Sequence, residues 1–235
     1  MFLYSLLEVS EKATNTVKWI SVGAVVVLLA LVALVGFFNK RKFDAKRLAF
    51  AGVAVGMSFA LALIKVKPVQ YGGSVTLASF APVLLYAYVY GPLDGVIVGL
   101  IHGLLNFIES PYILTPATFI LDYLLAFAGI GLMGFFGKMK RKEKSALPVV
   151  LGCVCVFSAR FVSHLLSGMI FFLQDAVWVS LPNWAMGNAF TYSLIYQCVY
   201  VPLDALIATI ALVALAKTGV LAKLVKQMQP KKNDQ

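Results

Sequence analysis

Charge is what this sequence has least of. Asp, Glu, Lys and Arg together make up 13% of the 235 residues, against roughly 25% in a soluble domain. That shortage excludes an ordinary water-facing globule, because most of the surface must meet lipid or other apolar helices. Cysteine is nearly absent: Cys153, Cys155 and Cys198 lie in apolar runs, without zinc-site spacing or a disulfide framework. They are expected to be packing residues. There is no G-x-x-x-x-G-K-[ST] loop, which excludes ATP hydrolysis by the phosphate-loop route. The G-x-S-x-G and H-E-x-x-H patterns are missing as well, and no solenoid-type repeat is present. No cofactor or metal is called for.

Long hydrophobic runs are what remains. AVILMFWYC residues form 61% of the chain and the mean hydropathy is +0.89. A membrane-spanning helix needs about 20 apolar residues. Seven candidate spans follow, at about 19–38, 46–64, 76–90, 92–108, 116–136, 147–172 and 190–216. The third and fourth meet at "YGPLDG", residues 90–95, where Gly-Pro predicts a tight turn and so a helical hairpin. The first has a long apolar core and no clear small-residue cleavage site, so it is not read as a signal peptide.

Basic residues set the orientation. "NKRKFDAKR" carries five, "GKMKRKEK" five, and the tail from Lys217 five more, while the alternate loops hold few. The amino terminus is therefore expected outside and the carboxyl terminus in the cytoplasm, in the plasma membrane. The net charge of +10 sits in these loops. It points to topology and anionic headgroups rather than to nucleic acid. The polar end of the tail, "KQMQPKKNDQ", is expected to be frayed.

Several spans carry a polar stripe at helical spacing. Arg160, His164, Ser167 and Phe171 share one face; Thr115, Thr118 and Asp122 share another; Tyr192, Tyr196 and Tyr200 form a third, flanked by Ser193 and Gln197. His102, Asn106 and Glu109 line the outer half of the fourth span. Lipid cannot satisfy such groups, so they face the bundle interior or a water-filled cavity. Interhelical hydrogen bonding is the bland alternative, and it is preferred for His102 and Asn106. Arg160 is read as bracing the bundle or its coupling surface in preference to contacting a ligand, and Tyr200 and Asp204 read as structural. Asp122, His164, Tyr192 and Gln197 are placed in an outward-facing pocket. His164 and Ser167, one turn apart, also allow a base–nucleophile pair, so an intramembrane enzyme stays open, as does a solitary secondary carrier. On the second span Gly52, Gly56 and Ala60 recur every four residues, as do Ala54, Ser58 and Ala62. Small faces of this kind permit close helix approach, and both are expected to dock a membrane partner. Gly95, Gly99 and Gly103 repeat the pattern, there read as internal packing.

Four stretches carry a resemblance: "YGGSVTLASFAPVLLYAYVYGPLDGVIVGLIHGLLNFI", "PYILTPATFILDYLLAF", "ARFVSHLLSGMIFF" and "YSLIYQCVYVP". In this order and spacing they resemble the thiamine-specific S-component of energy-coupling factor vitamin transporters. The resemblance implies an all-α integral membrane protein with a six-helix bundle at 43–218. An extra transmembrane helix and basic loop at 1–42 precede it, and a basic cytoplasmic tail at 219–235 follows. It implies a vitamin-binding subunit, not an enzyme, energised by a separate transmembrane subunit and two ATPases. The second span would contact that transmembrane partner. It also implies a pocket built from Asp122, Tyr123, His164, Gly168 and Tyr192, with Phe172 and Gln197 where a tryptophan and an asparagine are usual. Tyr112 matches a further aromatic and Tyr71 lies near an aromatic lid. Asp122 stands where glutamate is typical. Chemically, a carboxylate can take the exocyclic amine of thiamine's aminopyrimidine or balance its thiazolium cation. Phe172, Tyr123 or Tyr112 can stack on the rings, and His164 and Gln197 can orient them.

Overall fold

A computed structural model describes residues 44–66, 73–112, 115–137, 145–173 and 186–228, with a few isolated positions besides. The span expected at 19–38 and Tyr71 fall outside the continuously described residues. Helix α1 (Ala45–Ala62) starts at Asp44, whose carboxylate accepts from the Arg47 amide at 2.6 Å. Two short strands follow, β1 (Lys65–Val66) and β2 (Val75–Thr76), antiparallel with Lys65 opposite Thr76. Helices α2 (Phe80–Tyr90) and α3 (Pro92–Glu109) meet at Gly91, where φ is +107° and Pro92 opens the next helix. That is the expected turn. Then come α4 (Pro116–Phe136), α5 (Leu147–Leu173), α6 (Ala189–Lys217) and α7 (Val220–Met228). Five of these are long and apolar enough to cross a membrane, and α2 is a shorter apolar helix.

Two boundaries differ from expectation. Residues 76–79 do not begin a helix. Thr76 is held in the strand pair, and its amide and hydroxyl both donate to Asp204 Oδ1, at 3.0 and 2.7 Å. The segment after Lys217 is not simply a tail. Leu221 and Met228 of α7 are buried while Lys223 and Lys226 are exposed, and the Tyr90 hydroxyl donates to the Met228 carbonyl at 2.7 Å.

The core is aromatic and aliphatic side chains shared between helices, with Phe80, Leu84, Phe127, Ile130 and Val156 almost fully buried. Helix α3 packs on α4 through glycine. A β-carbon at Gly99 would overlap the Phe127 carbonyl, and one at Gly103 the Tyr123 carbonyl. Internal packing is thus the role of this stripe. On α1 the two small stripes separate. Gly52, Gly56 and Ala60 are exposed, and nothing lies within 4 Å of a β-carbon at either glycine. Ala54, Ser58 and Ala62 are buried against the bundle. The docking role expected of the latter three is therefore corrected: a partner cannot reach them.

A polar cluster closes one end. Arg47 pairs with Asp94 at the first turn of α3, and both are buried. The guanidinium also lies over the Tyr90 ring, 5.6 Å from its centroid. This is the end of α1, α3 and α6 nearest the basic loops. The opposite end holds the cavity.

Candidate functional site: an intrabundle cavity

The cavity, of about 110 Å³, is walled by the ends of α3, α4, α5 and α6 and by the β1–β2 strap. From Arg160 to Phe171 it follows α5 for eleven residues, or roughly 16 Å at 1.5 Å per residue. Of the expected site residues, Asp122, Tyr123, His164, Gly168, Tyr192, Gln197 and Tyr112 all border it. They come from α4, α5 and α6 and, for Tyr112, from the segment between α3 and α4.

Asp122 owes its position to an irregular helix. Thr115 caps α4 in a reciprocal pair with Thr118. The next turn, Ile120–Leu125, is a wide π-helical one. Such turns insert a residue and re-aim those beside it, often at functional sites. Here the Asp122 carboxylate reaches α5, where Oδ1 meets His164 Nδ1 at 2.7 Å and Oδ2 accepts from Ser167 Oγ at 2.5 Å. Ser163 Oγ donates to the Leu121 carbonyl at 2.6 Å and fixes the same junction. The base–nucleophile alternative is not what these contacts make. Ser167 and His164 each bond to Asp122, and the serine proton is directed at a carboxylate.

Tyr123 lends its hydroxyl to the wall. It donates to the Ser110 carbonyl at 2.7 Å and accepts from the Tyr112 amide at 3.0 Å. The Tyr112 ring is thereby held against Phe171, centroids 5.2 Å apart and planes within 23°. Here the resemblance and the helical period disagree. Phe171, on the stripe of His164 and Ser167, borders the cavity; Phe172 does not. One residue turns a helix by 100°, which carries the Phe172 ring onto Tyr192, 5.2 Å between centroids. Phe171, and not the expected Phe172, is thus the ring that this turn of α5 presents to the cavity.

On α6, Gln197 Nε2 donates to the His164 carbonyl at 3.0 Å and Ser193 Oγ to the Leu165 carbonyl at 2.7 Å. These bonds need the helices close, and Gly168 allows it. A β-carbon there would strike Ser193 Oγ and come within 3.1 Å of Gln197 Nε2. Gly168→Ala is expected to part α5 from α6 and lose about 1–3 kcal/mol of stability, the usual range for overpacking. Melting of the detergent-solubilised protein checks this, and an unchanged midpoint would refute it.

The cavity runs deeper than the pattern of stripes suggested. Tyr196, Tyr200, Asp204 and Arg160 also border it, as do Lys65 and Glu109, paired at 2.5 and 2.6 Å. Tyr196 accepts from the Gly73 amide at 3.1 Å, and Asp204 holds Thr76, so the strap is pinned to α6 at two points. Arg160 lies over Phe80 and Phe127, 4.4 and 4.7 Å from their centroids. The preference for His102 as hydrogen-bonding glue is overturned. Neither ring nitrogen has a hydrogen-bond partner among the described residues, and the ring packs edge-on to Phe80 and Phe127 instead.

A sequence model of the thiamine transporter protein family (Thia_YuaJ) matches residues 48–223. The chain belongs to that family. It is 33% identical over 156 residues to the thiamine transporter ThiT of Bacillus subtilis, covering 63% of this chain and 77% of that one. A solved structure, described as native-SAD phasing of ThiT from Listeria monocytogenes, superposes with a TM-score of 0.60. It covers 77% of this chain and 94% of that one at 23% identity, and so shows a common fold. The resemblance drawn from four sequence stretches is borne out at the level of the family. This is a multi-pass membrane protein of a transporter family, not an enzyme. As in the family match, the cavity belongs wholly to residues after position 47.

Proposed function

We propose that this thiamine transporter family member is the substrate-binding subunit of an uptake system. It would hold thiamine or a close relative in the intrabundle cavity, with the energy supplied by a separate transmembrane subunit and two ATPases. One observation carries this: the half-buried Asp122 carboxylate, bonded to the buried His164 and Ser167, and a set of aromatic rings border the same cavity. Intramembrane ionisable groups that converge in this way mark substrate sites.

The formal charges agree. Asp122, Asp204 and Glu109 face Arg160 and Lys65; with His164 uncharged, one negative charge is left over. A monocation such as the thiazolium of thiamine would neutralise it. The Tyr112–Phe171 pair and Tyr192 offer ring faces, each worth about 0.5–2 kcal/mol to a cation. The cavity lies at the end of the bundle away from the basic loops, which under the positive-inside rule is the outer end. The amino terminus would then be outside and the carboxyl terminus cytoplasmic. Gly52, Gly56 and Ala60, with exposed Val53 and Met57 beside them, form the face offered to the transmembrane partner.

Liposomes test the division of labour. The chain alone is expected to bind radiolabelled thiamine without accumulating it. Accumulation driven by an ion gradient, with no ATPase present, would instead make it a solitary carrier.

A further inference from the structure

Helix α7 is anchored to the bundle along its apolar stripe. Leu221 and Met228 are buried in the main core, with Val225 packed against it, and helical spacing puts the three on one face. The turn into the helix is fixed as well. Gly219 takes a φ of +78°, and the Thr218 hydroxyl donates to the Ala214 carbonyl of α6 at 2.8 Å. At the far end the Met228 carbonyl accepts from the Tyr90 hydroxyl. An interfacial amphipathic helix ordinarily buries its apolar face among acyl chains. Here that face is occupied by the protein itself.

The opposite face is cationic. Lys223 and Lys226 are exposed on it, and Lys217 is exposed at the end of α6. No ion pair among the described residues joins any of the three. The sequence has no Asp or Glu between Asp204 and Asp234, so the segment does not neutralise its own charge. The depth of this face is set by α6. Its 29 residues make a rod of roughly 44 Å, against a hydrocarbon core of about 30 Å. Between Ala205 and Ala216 its one polar residue is Thr209, and the first cation is Lys217. The hydrocarbon boundary therefore falls at Lys217. Helix α7 packs back on α6 and α1 just past that point, at the depth of the headgroups.

We propose that the outer face of α7, together with Lys217, is a docking surface for anionic phospholipid headgroups of the adjoining leaflet. Each lysine held near such a surface gains roughly fivefold in affinity from its negative potential. The helix is already folded against the bundle, so no ordering cost opposes the contact. The contact is made by charge alone, because the apolar face is turned inward. The family match stops at residue 223, so Lys226 and the helix end that Tyr90 holds lie beyond it. The lipid face stands whether or not the cavity holds thiamine.

Native mass spectrometry of the full-length protein in detergent, titrated with phosphatidylglycerol or with phosphatidylcholine of the same acyl chains, tests this. The unaltered protein is expected to hold phosphatidylglycerol at least tenfold more tightly, with the ratio falling as ionic strength rises. Lys217→Gln, Lys223→Gln and Lys226→Gln together are expected to bring the two lipids within threefold of each other. Lys226→Gln alone, expected to lower the ratio at least twofold, serves if the triple variant does not fold. Glutamine at Lys138, Lys140 and Lys142, in the basic loop "GKMKRKEK", removes the same charge and is expected to leave the ratio within twofold of its original value. An equal loss in both triple variants would reflect net charge rather than this helix, and overturns the proposal. A preference that survives high salt overturns it too. So does a ratio near one in the unaltered protein; if the α7 lysines are then needed for uptake by a complete transporter, their face meets an acidic protein surface instead.

Discussion

Asp122→Ala is expected to weaken thiamine binding at least tenfold, about 1.4 kcal/mol, with the fold retained. The carboxylate accepts from His164 Nδ1 and Ser167 Oγ together. Its removal strands two buried donors, frees the histidine to turn, and cancels the excess negative charge that suits a cation. The side chain is not part of the main core, so melting should move far less than affinity. His164→Ala is expected to lose affinity at least tenfold as well, because it removes a ring that borders the cavity and the partner of Asp122. Asp122→Asn keeps an acceptor and should fall between wild type and alanine. Titration calorimetry on the purified variants checks the order. Wild-type affinity in both Asp122→Ala and His164→Ala, with folding intact, would remove the proposed site.

The largest effect on stability is expected at the other end of the molecule. Asp94 is 1% exposed and Arg47 6% exposed, and their ion pair joins the first turns of α1 and α3. Breaking a buried pair from one side leaves a charge without compensation, typically at a cost of about 3–5 kcal/mol. Asp94→Ala should therefore lower the unfolding midpoint steeply, while the double replacement Arg47→Met with Asp94→Leu recovers most of it. Fifteen residues of α3 separate Asp94 from Glu109 at the cavity, roughly 22 Å. The fraction of Asp94→Ala that stays folded should thus bind thiamine normally. A stable Asp94→Ala, or one that is folded but cannot bind, contradicts this separation of roles.

Much of this architecture was legible because lipid permits so few backbone solutions. Hydropathy placed the helices from Ala45 to Lys217 within a few residues of where they lie. The Gly91–Pro92 turn could be read directly, since both residues have strong backbone preferences. The stripes on α5 and α6 pointed inward for the stated reason, that lipid cannot satisfy them. What could not be read was anything decided by partners distant in sequence. Thr76 leaves the helix because Asp204, 128 positions away, accepts from it twice. The two small stripes of α1 are chemically alike, and only the packing of α2 and α3 reveals that Ala54, Ser58 and Ala62 are the inner one. Amphipathic α7 was masked by its polar continuation. Phe171 was visible in the helical period, yet analogy favoured its neighbour. The π-helical turn that aims Asp122 leaves no signature in composition at all.

A structure determined with thiamine bound bears most directly on the central claim. The account predicts the vitamin inside the bundle between the Tyr112–Phe171 pair and the His164–Gln197 wall, chemically unaltered. Thiamine found on the lipid-facing surface, or a complex in which these side chains close on one another and exclude it, would contradict it.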